Sequence, residues 1–187
     1  MNNLQRALVE LTSFLDHHQV PYMIIGGIAN LVWGEPRSTL DVDATVLVEE
    51  TKWPELLKEL GRTFTILPKD PLAILHEMHV LPLETHDEIR LDLIWARLPY
   101  EQKAIARAAT EEIAGRQMRV CTPEDLIIHK IVSERVKDRE DVRQIIRRQG
   151  SRLDRRYLTT HIRTLATAMD QPELLTFLNA CFSHRKK

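Results

Sequence analysis

The chain has 187 residues, of which 43% are hydrophobic and 28% are charged. This is the composition of a globular protein large enough for a hydrophobic core, and it excludes a disordered or fibrous chain. A formal net charge of −1 excludes a molecule that binds nucleic acid through its overall charge.

The charges are unevenly distributed along the chain. Residues 1–60 contain four basic and nine acidic residues, whereas residues 129–156 contain ten basic and five acidic residues. An acidic early part and a basic later part suit a site that holds a metal ion and phosphate groups. Two solvated helix faces would produce the same distribution, so both interpretations stay open.

The sequence also predicts the compartment. Cys121 and Cys181 have apolar neighbours and no zinc-binding spacing, which indicates reduced, buried thiols. No signal peptide is visible, and no apolar run approaches the ~20 residues that a membrane helix needs. We therefore expect a soluble cytoplasmic protein with no membrane partner.

Hydrophobic spacing, β-branched runs and helix-ending residues predict the elements of the first two thirds of the chain. The predicted helices cover residues 3–19, 28–33, 53–60, 70–78 and 99–109. The predicted strands cover residues 22–25, 41–48 and 63–67, followed by a hairpin over 80–95 and a weaker hairpin over 112–120. Gly26 and Gly27 separate the first strand from the second helix, and Gly61 is expected to end the third helix.

The last third of the chain is predicted to be helical. Thr122 is a good N-cap, Pro123 suits the first helical position, and two acidic residues follow in the first turn. No convincing strand follows, and about four helices are expected. The predicted fold is therefore α+β, with a small mixed β-sheet core flanked by helices over residues 1–121 and a C-terminal helical subdomain over residues 122–187.

Two carboxylates are one residue apart at the start of the second predicted strand. Asp41 and Asp43 point to the same face of that strand, roughly 6–7 Å apart. They repel each other and are costly to desolvate, which favours a cation between them. Oxygen ligands of this kind suit Mg²⁺ or Mn²⁺. An Asp-x-Asp pair alone also fits a solvated strand end.

A third carboxylate, Asp92, lies inside the predicted strand of the first hairpin. Alternation places Arg90, Asp92 and Ile94 on one face of that strand. If the strand lies beside the second strand, three carboxylates would hold two metal ions at a phosphoryl-transfer site. The alternative is an ion pair between Asp92 and Arg90 at a sheet edge.

The glycine pair suits phosphate binding, because it follows a strand and opens a helix. Backbone N–H groups and the positive end of the helix would approach a phosphate closely there. Arg37, Ser38 and Thr39, just before the carboxylates, add a forked cation and two hydroxyls for phosphate oxygens. Paired glycines also mark simple tight turns.

The glycine pair, a spacer of thirteen residues and the Asp-x-Asp pair resemble the DNA polymerase beta-type nucleotidyltransferase superfamily, in its minimal, single-nucleotide-adding branch. The resemblance implies that Asp41, Asp43 and Asp92 bind the metal ions, with Asp92 favouring deprotonation of the acceptor hydroxyl. It also implies that Gly26 and Gly27 cradle the triphosphate of an NTP, with Arg37 or Ser38 assisting.

A later run, Lys130-x₄-Arg135-x-Lys137-Asp138-x₂-Asp141, is similar to the second motif of AbiEii/MenT-type nucleotidyltransferases, some of which act as type IV toxins. The resemblance implies that Lys130 and Lys137 reach the phosphates of the nucleotide. Asp138 and Asp141 would orient those lysines or contact the base or sugar.

The chain departs from the superfamily pattern at the glycine pair, and the lysines of the second motif act together only under one structural condition. Many members of the superfamily carry Gly-Ser where this chain has Gly26-Gly27, which removes a hydroxyl that Ser38 would have to replace. Lys130 and Lys137 share a face only if a single helix carries both. An exposed, charge-rich helix end is the other interpretation of that run.

The resemblance predicts a metal-dependent enzyme that transfers a nucleoside monophosphate from an NTP to an acceptor hydroxyl and releases pyrophosphate. The toxin-like motif implies tRNA as the acceptor and a protein antitoxin as a partner. Two alternatives are a small-molecule acceptor, as in antibiotic nucleotidyltransferases, and a catalytically weak nucleotide-binding or regulatory module of a toxin–antitoxin pair.

Overall fold

The computed structural model describes residues 1–183, so the last four residues of the predicted helical subdomain, 184–187, lie outside the described residues. The helices are α1 (Asn3–His17), α2 (Gly26–Trp33), α3 (Trp53–Thr63), α4 (Pro71–Met78), α5 (Pro99–Arg107), α6 (Pro123–Ile131), α7 (Val136–Gln149), α8 (Arg155–Ala168) and α9 (Glu173–Ser183). The strands are β1 (Tyr22–Ile24), β2 (Asp41–Val46), β3 (Thr65–Ile66), β4 (Val80–Glu84), β5 (Arg90–Trp95), β6 (Ala109–Ile113) and β7 (Arg116–Val120).

The chain divides into two compact units. The first unit comprises Met1–Ile28 and Ser38–Cys121, and the second comprises Ala29–Arg37 and Thr122–Lys187. The short segment Ala29–Arg37 thus belongs with the C-terminal helices, which chain order alone did not indicate.

The first unit is built on one seven-stranded mixed sheet in the order β3-β4-β5-β2-β1-β7-β6. Strand β2 pairs in parallel with β5 and antiparallel with β1, while β4–β5 and β6–β7 are antiparallel hairpins. This arrangement confirms the predicted α+β class with a small mixed sheet. It also places β2, which carries Asp41 and Asp43, at the centre of the sheet.

Alternation gives β2 and β5 one apolar face and one polar face. Val42 and Ala44 of β2, and Leu91 and Leu93 of β5, are fully buried. The intervening aspartates are only half-buried. The buried face therefore anchors both strands in the core, and the opposite face of the same strands presents the carboxylates.

The second unit contains α6, α7, α8 and α9, and its described residues from 122 onward contain no strand, as predicted. Thr122 caps α6 as expected, accepting a hydrogen bond from the Asp125 backbone N–H at 3.1 Å. Asp154 caps α8 in the same way through the backbone N–H of Tyr157 at 2.9 Å. The apolar faces of these helices form the core of the unit, which includes Leu126, Ile127, Val142, Ile145, Leu158, Ile162, Leu174 and Leu178.

Several predicted helix boundaries differ from the structure: α1 ends at His17 and α5 at Arg107, before the predicted residues 19 and 109, and two more boundaries differ at glycines. Helix α2 begins at Gly26, so both glycines lie in its first turn. Helix α3 continues through Gly61 to Thr63, and the prediction that Gly61 ends it is wrong. This glycine lies in the body of the helix, so it supplies no left-handed terminating residue there.

The single helix that would carry both lysines is also absent. Helix α6 ends at Ile131 and α7 begins at Val136. Lys130 and Lys137 therefore lie on different helices and share no helix face. Among residues 1–183, no helix combines the length and the apolar character that a membrane crossing requires.

Candidate active site

The first group of predicted site residues lies on one face of the sheet. Parallel pairing places Asp43 of β2 directly opposite Asp92 of β5, and Asp41 opposite Arg90. The structure therefore brings Asp92 beside the Asp-x-Asp pair, because β5 is the neighbour of β2. The sheet register, and not a loop, holds these carboxylates at adjacent positions.

Asp92, the third carboxylate, has an ion-pair partner on its own strand. Arg90 Nε donates to Asp92 Oδ1 at 3.1 Å, so the ion pair proposed as the alternative is present. It does not lie at a sheet edge, since β5 lies between β4 and β2. Within residues 1–183, no three His, Cys, Asp or Glu side chains are grouped closely enough to hold one metal ion. Asp92 is thus paired with Arg90 in this structure, and metal binding by all three carboxylates stays a prediction.

The residues present nevertheless fit a hard divalent cation. Asp41 and Asp43 supply carboxylate oxygens on one half-exposed strand face, which is the donor type that Mg²⁺ and Mn²⁺ prefer. The Asp43 carboxylate fills the space that a side chain at position 26 would need. A Cβ atom at Gly26 would lie 1.9 Å from Asp43 Oδ2, a distance that no side chain could accept.

Gly26 is required for two independent reasons. Its φ of +63° lies in the left-handed region that favours glycine, and its missing side chain admits the Asp43 carboxylate. The backbone N–H of the preceding Ile25 donates to the carbonyl oxygen of Asp43 at 3.0 Å, which extends the β1–β2 ladder up to the glycine. The start of α2, with its unsatisfied N–H groups and positive dipole end, therefore lies against the Asp43 side chain.

Thr39, and not Ser38, is the hydroxyl residue beside the second glycine. A Cβ atom at Gly27 would lie 2.1 Å from Thr39 Oγ1. The same hydroxyl donates to Asp41 Oδ1 at 2.9 Å. Ser38 is exposed. The Thr39 hydroxyl thus lies beside Gly27, and the contribution of Ser38 to nucleotide binding stays a prediction.

A second group of predicted residues forms a buried ion cluster within the second unit. The Lys130 side chain is 6% exposed, and its Nζ donates to Asp138 Oδ1 at 3.0 Å and to Asp141 Oδ2 at 2.7 Å. The two aspartates therefore orient this lysine. Lys137 is exposed in the first turn of α7 and lies outside the cluster.

Two arginines complete this cluster. Arg37 donates two hydrogen bonds to Asp141, from Nε to Oδ1 at 3.0 Å and from Nη2 to Oδ2 at 2.9 Å. Arg135 Nε and the Ser133 hydroxyl both donate to Asp138 Oδ2, at 2.6 and 2.7 Å. The predicted phosphate ligands Lys130 and Arg37 are thus engaged by carboxylates of their own unit. Ser133 was missed from the sequence because its role depends on the break between α6 and α7.

The ionisation of Asp138 reflects these contacts. Burial disfavours its charged form, but hydrogen bonds from Ser133, Lys130 and Arg135 and the charge of Lys130 outweigh burial. The pKa of Asp138 is consequently lowered from its ordinary value of 3.8. The cluster is held together by an ionised carboxylate.

Acid is therefore expected to weaken the second unit through Asp138. Because its pKa is lower in the folded chain, the ionised carboxylate stabilises the fold above pH 3.8 and loses this contribution as the pH falls through the folded pKa. We expect Asp138→Asn to lower the free energy of unfolding at pH 7, and this difference from wild type to shrink as the pH falls below 3.8. Urea denaturation across this pH range measures it; a difference that stays constant under acid would contradict the assignment.

Helix α7 also binds residues 33–37, the last residues of the segment Ala29–Arg37 of the second unit. Gln149 Nε2 donates to the carbonyl oxygen of Trp33 at 2.7 Å, and Arg148 donates to that of Gly34. Together with the Arg37–Asp141 pair, these contacts fix residues 33–37 on α7. No sequence signal indicated them, because they join positions more than a hundred residues apart.

The fold is that of known nucleotidyltransferases. An antigenic nucleotidyltransferase-like protein from Paracoccidioides brasiliensis is 21% identical, with 96% of this chain and 94% of that chain covered and a TM-score of 0.55. The antibiotic-resistance factor ANT(2'')-Ia is 21% identical, covering 89% and 94%, with a TM-score of 0.56. The lincosamide antibiotic adenylyltransferase LnuA is 14% identical, covering 77% and 98%, with a TM-score of 0.55. At these identities the likeness establishes the fold.

The family is established by sequence. Residues 4–175 match the family described as a nucleotidyl transferase of unknown function (DUF2204), and the chain belongs to this family. No curated protein sequence matches the chain. The nucleotidyltransferase part of the sequence prediction is confirmed, while the AbiEii/MenT branch stays a prediction.

Proposed function

We propose that this protein is a metal-dependent nucleotidyltransferase that joins the nucleoside monophosphate part of an NTP to an acceptor hydroxyl. The observation that carries the proposal is the contact between the Asp43 carboxylate and Gly26 at the start of α2. This contact puts a carboxylate oxygen of the type that Mg²⁺ prefers beside a helix end suited to phosphate. Membership of a nucleotidyltransferase family supports the reaction class.

Each residue of the sheet face has a role in this proposal. Asp41 and Asp43 would hold Mg²⁺ or Mn²⁺, which when bound supplies charge neutralisation at the triphosphate and activation of the attacking hydroxyl. Asp92 would join them on leaving Arg90, and would favour loss of the acceptor proton. Gly26 and Gly27 would present backbone N–H groups to the phosphates.

The reaction balances as a phosphoryl substitution. The acceptor oxygen forms a bond to the α-phosphorus of the NTP, the bond from that phosphorus to the bridging oxygen breaks, and pyrophosphate leaves. The acceptor proton passes towards Asp92 or to water. The assignment of Arg37, Lys130, Lys137, Asp138 and Asp141 to nucleotide binding stays a prediction.

For the acceptor we propose RNA, of the tRNA type that the toxin-like motif implies. Support comes from the second unit, where helices α7 and α8 carry many exposed basic side chains. The exposed fractions are 65% for the Arg147 side chain and 51% for that of Arg143, and Lys137 is also exposed. Such a surface suits a polyanion better than a small neutral acceptor. A protein antitoxin remains part of the toxin-like hypothesis.

The test uses the purified chain with labelled NTPs, Mg²⁺, and either tRNA or a panel of aminoglycoside and lincosamide acceptors. We expect label transfer to tRNA and release of pyrophosphate. Binding of tRNA should also fall steeply with salt, with a logarithmic slope of about −0.7 to −0.9 per phosphate contacted. Arg143→Gln with Arg147→Gln should reduce that slope.

Each other outcome selects a different function. Transfer only to a small molecule, with RNA binding insensitive to salt, would replace the RNA proposal with the antibiotic-type alternative. Tight NTP binding in calorimetry without pyrophosphate release would indicate the nucleotide-binding module of a toxin–antitoxin pair. Folded protein that neither binds NTP nor transfers it would overturn the enzyme proposal.

A further inference from the structure

We propose that Thr39 is a positioning residue that fixes the Asp41 carboxylate, and that position 27 is a glycine because the Thr39 side chain occupies its space. This inference rests on the proposed function, since it assigns Asp41 to metal binding. Gly27 and Thr39 together prepare that carboxylate for a cation.

A hydrogen bond joins the side chains of Thr39 and Asp41. Residues two apart in an extended chain point to the same side, so the two are neighbours. Thr39 Oγ1 donates its single proton to Asp41 Oδ1 at 2.9 Å. A half-exposed aspartate is otherwise free to change rotamer, and this bond restricts it to one orientation. The bond occupies part of Oδ1 and leaves Oδ2 available to a cation.

The two glycines are required for different reasons. Gly26 has a left-handed φ of +63°, which by itself favours glycine. Gly27 has no such φ, so its backbone conformation is open to any residue. The requirement for glycine at position 27 is therefore one of space.

The Thr39 side chain fills the space beside Gly27. A Cβ atom on Gly27 would lie 2.1 Å from Oγ1, 2.6 Å from Cβ and 3.3 Å from Cγ2 of Thr39, with no other residue among its three nearest atoms. Any side chain at position 27 would push Thr39 away and break its bond to Asp41. Gly27 and Thr39 thus act as one pair, and this pair fixes the orientation of the Asp41 carboxylate.

The experiment compares Thr39→Val, which removes the hydroxyl at nearly constant shape, with Thr39→Ser, which keeps it. The first readout is Mn²⁺ affinity, measured by electron paramagnetic resonance with a non-hydrolysable ATP analogue. We expect Thr39→Val to weaken Mn²⁺ binding by about tenfold, the scale of a hydrogen bond to a charged group, and Thr39→Ser to stay within about threefold of wild type. The kcat should fall with Thr39→Val while the KM for NTP and the Tm stay unchanged.

The glycine arm tests the pairing. Gly27→Ala should weaken Mn²⁺ binding as Thr39→Val does, and adding Thr39→Gly, which clears the space, should cause no further loss. Additive losses would overturn the pairing, and unchanged Mn²⁺ affinity and kcat in Thr39→Val would overturn the positioning role. Wild-type protein that binds no Mn²⁺ and transfers no nucleotide would overturn the proposed function together with this inference. If the wild-type protein binds Mn²⁺ and transfers nucleotide, the proposed function stands, and the variants then test this inference alone.

Discussion

If Asp43 binds the metal ion as proposed, replacing it by Asn is expected to reduce nucleotide transfer by about a thousandfold or more, because a metal ligand contributes several kcal/mol to stabilising the transition state. The same change should leave the Tm unchanged or raise it. Asp43 lies opposite Asp92 in the sheet, and removing one of two neighbouring negative charges relieves their repulsion. Asn also keeps the shape of the side chain that lies against Gly26.

The matched control is Glu77→Gln, which makes the same change of charge at an exposed position of α4. It should transfer nucleotide at the wild-type rate. Transfer is followed with labelled NTP and the Tm by differential scanning calorimetry. An Asp43→Asn protein that keeps its activity would show that the reaction does not need this carboxylate. One that unfolds several degrees lower would show that the carboxylate supports the fold.

Replacing Lys130 by Met is expected to lower the free energy of unfolding by about 3 kcal/mol, at the lower end of the range for breaking a buried ion pair. The change leaves Asp138 and Asp141 buried, at 1% and 4% exposure, without their shared cation. Arg135 and Arg37 remain on the two carboxylates and limit the loss.

Lys137→Met provides the matched control, since it removes the same side chain from an exposed position of the same unit. Its free energy of unfolding should lie within about 0.5 kcal/mol of wild type. Urea denaturation at pH 7 measures both variants. Equal losses in the two would show that the buried ion cluster has no particular stabilising role.

Much of the fold was predictable because its signals are local. A β-branched run identified β2, a polar turn between two apolar runs identified the hairpin that contains β5, and the N-cap at Thr122 marked the start of α6. The break between α6 and α7 was not predictable, since residues 132–135 contain neither glycine nor proline. Ser133 and Arg135 donate hydrogen bonds to Asp138 there, and these side-chain contacts compensate for the helical hydrogen bonds that the break loses.

The candidate site likewise has residues that the sequence predicts and contacts that it does not. The aspartates and glycines stand out in the sequence by residue type and spacing alone. The contact between Gly27 and Thr39 depends on how α2 meets the start of β2, which no sequence pattern records. The pairing of Arg37 with Asp141 was likewise not predictable, because the two residues are about a hundred positions apart in sequence.

The parallel pairing of β2 with β5 has a consequence for the order of folding. Its register joins positions about fifty residues apart, whereas the β4–β5 and β6–β7 hairpins close over short turns. Closing a long loop costs more entropy before any contact repays it, so we expect the hairpins to form before the β2–β5 ladder. The repulsion between Asp43 and Asp92 is therefore expected to arise only after most of the sheet has formed. It would not oppose the first steps of collapse.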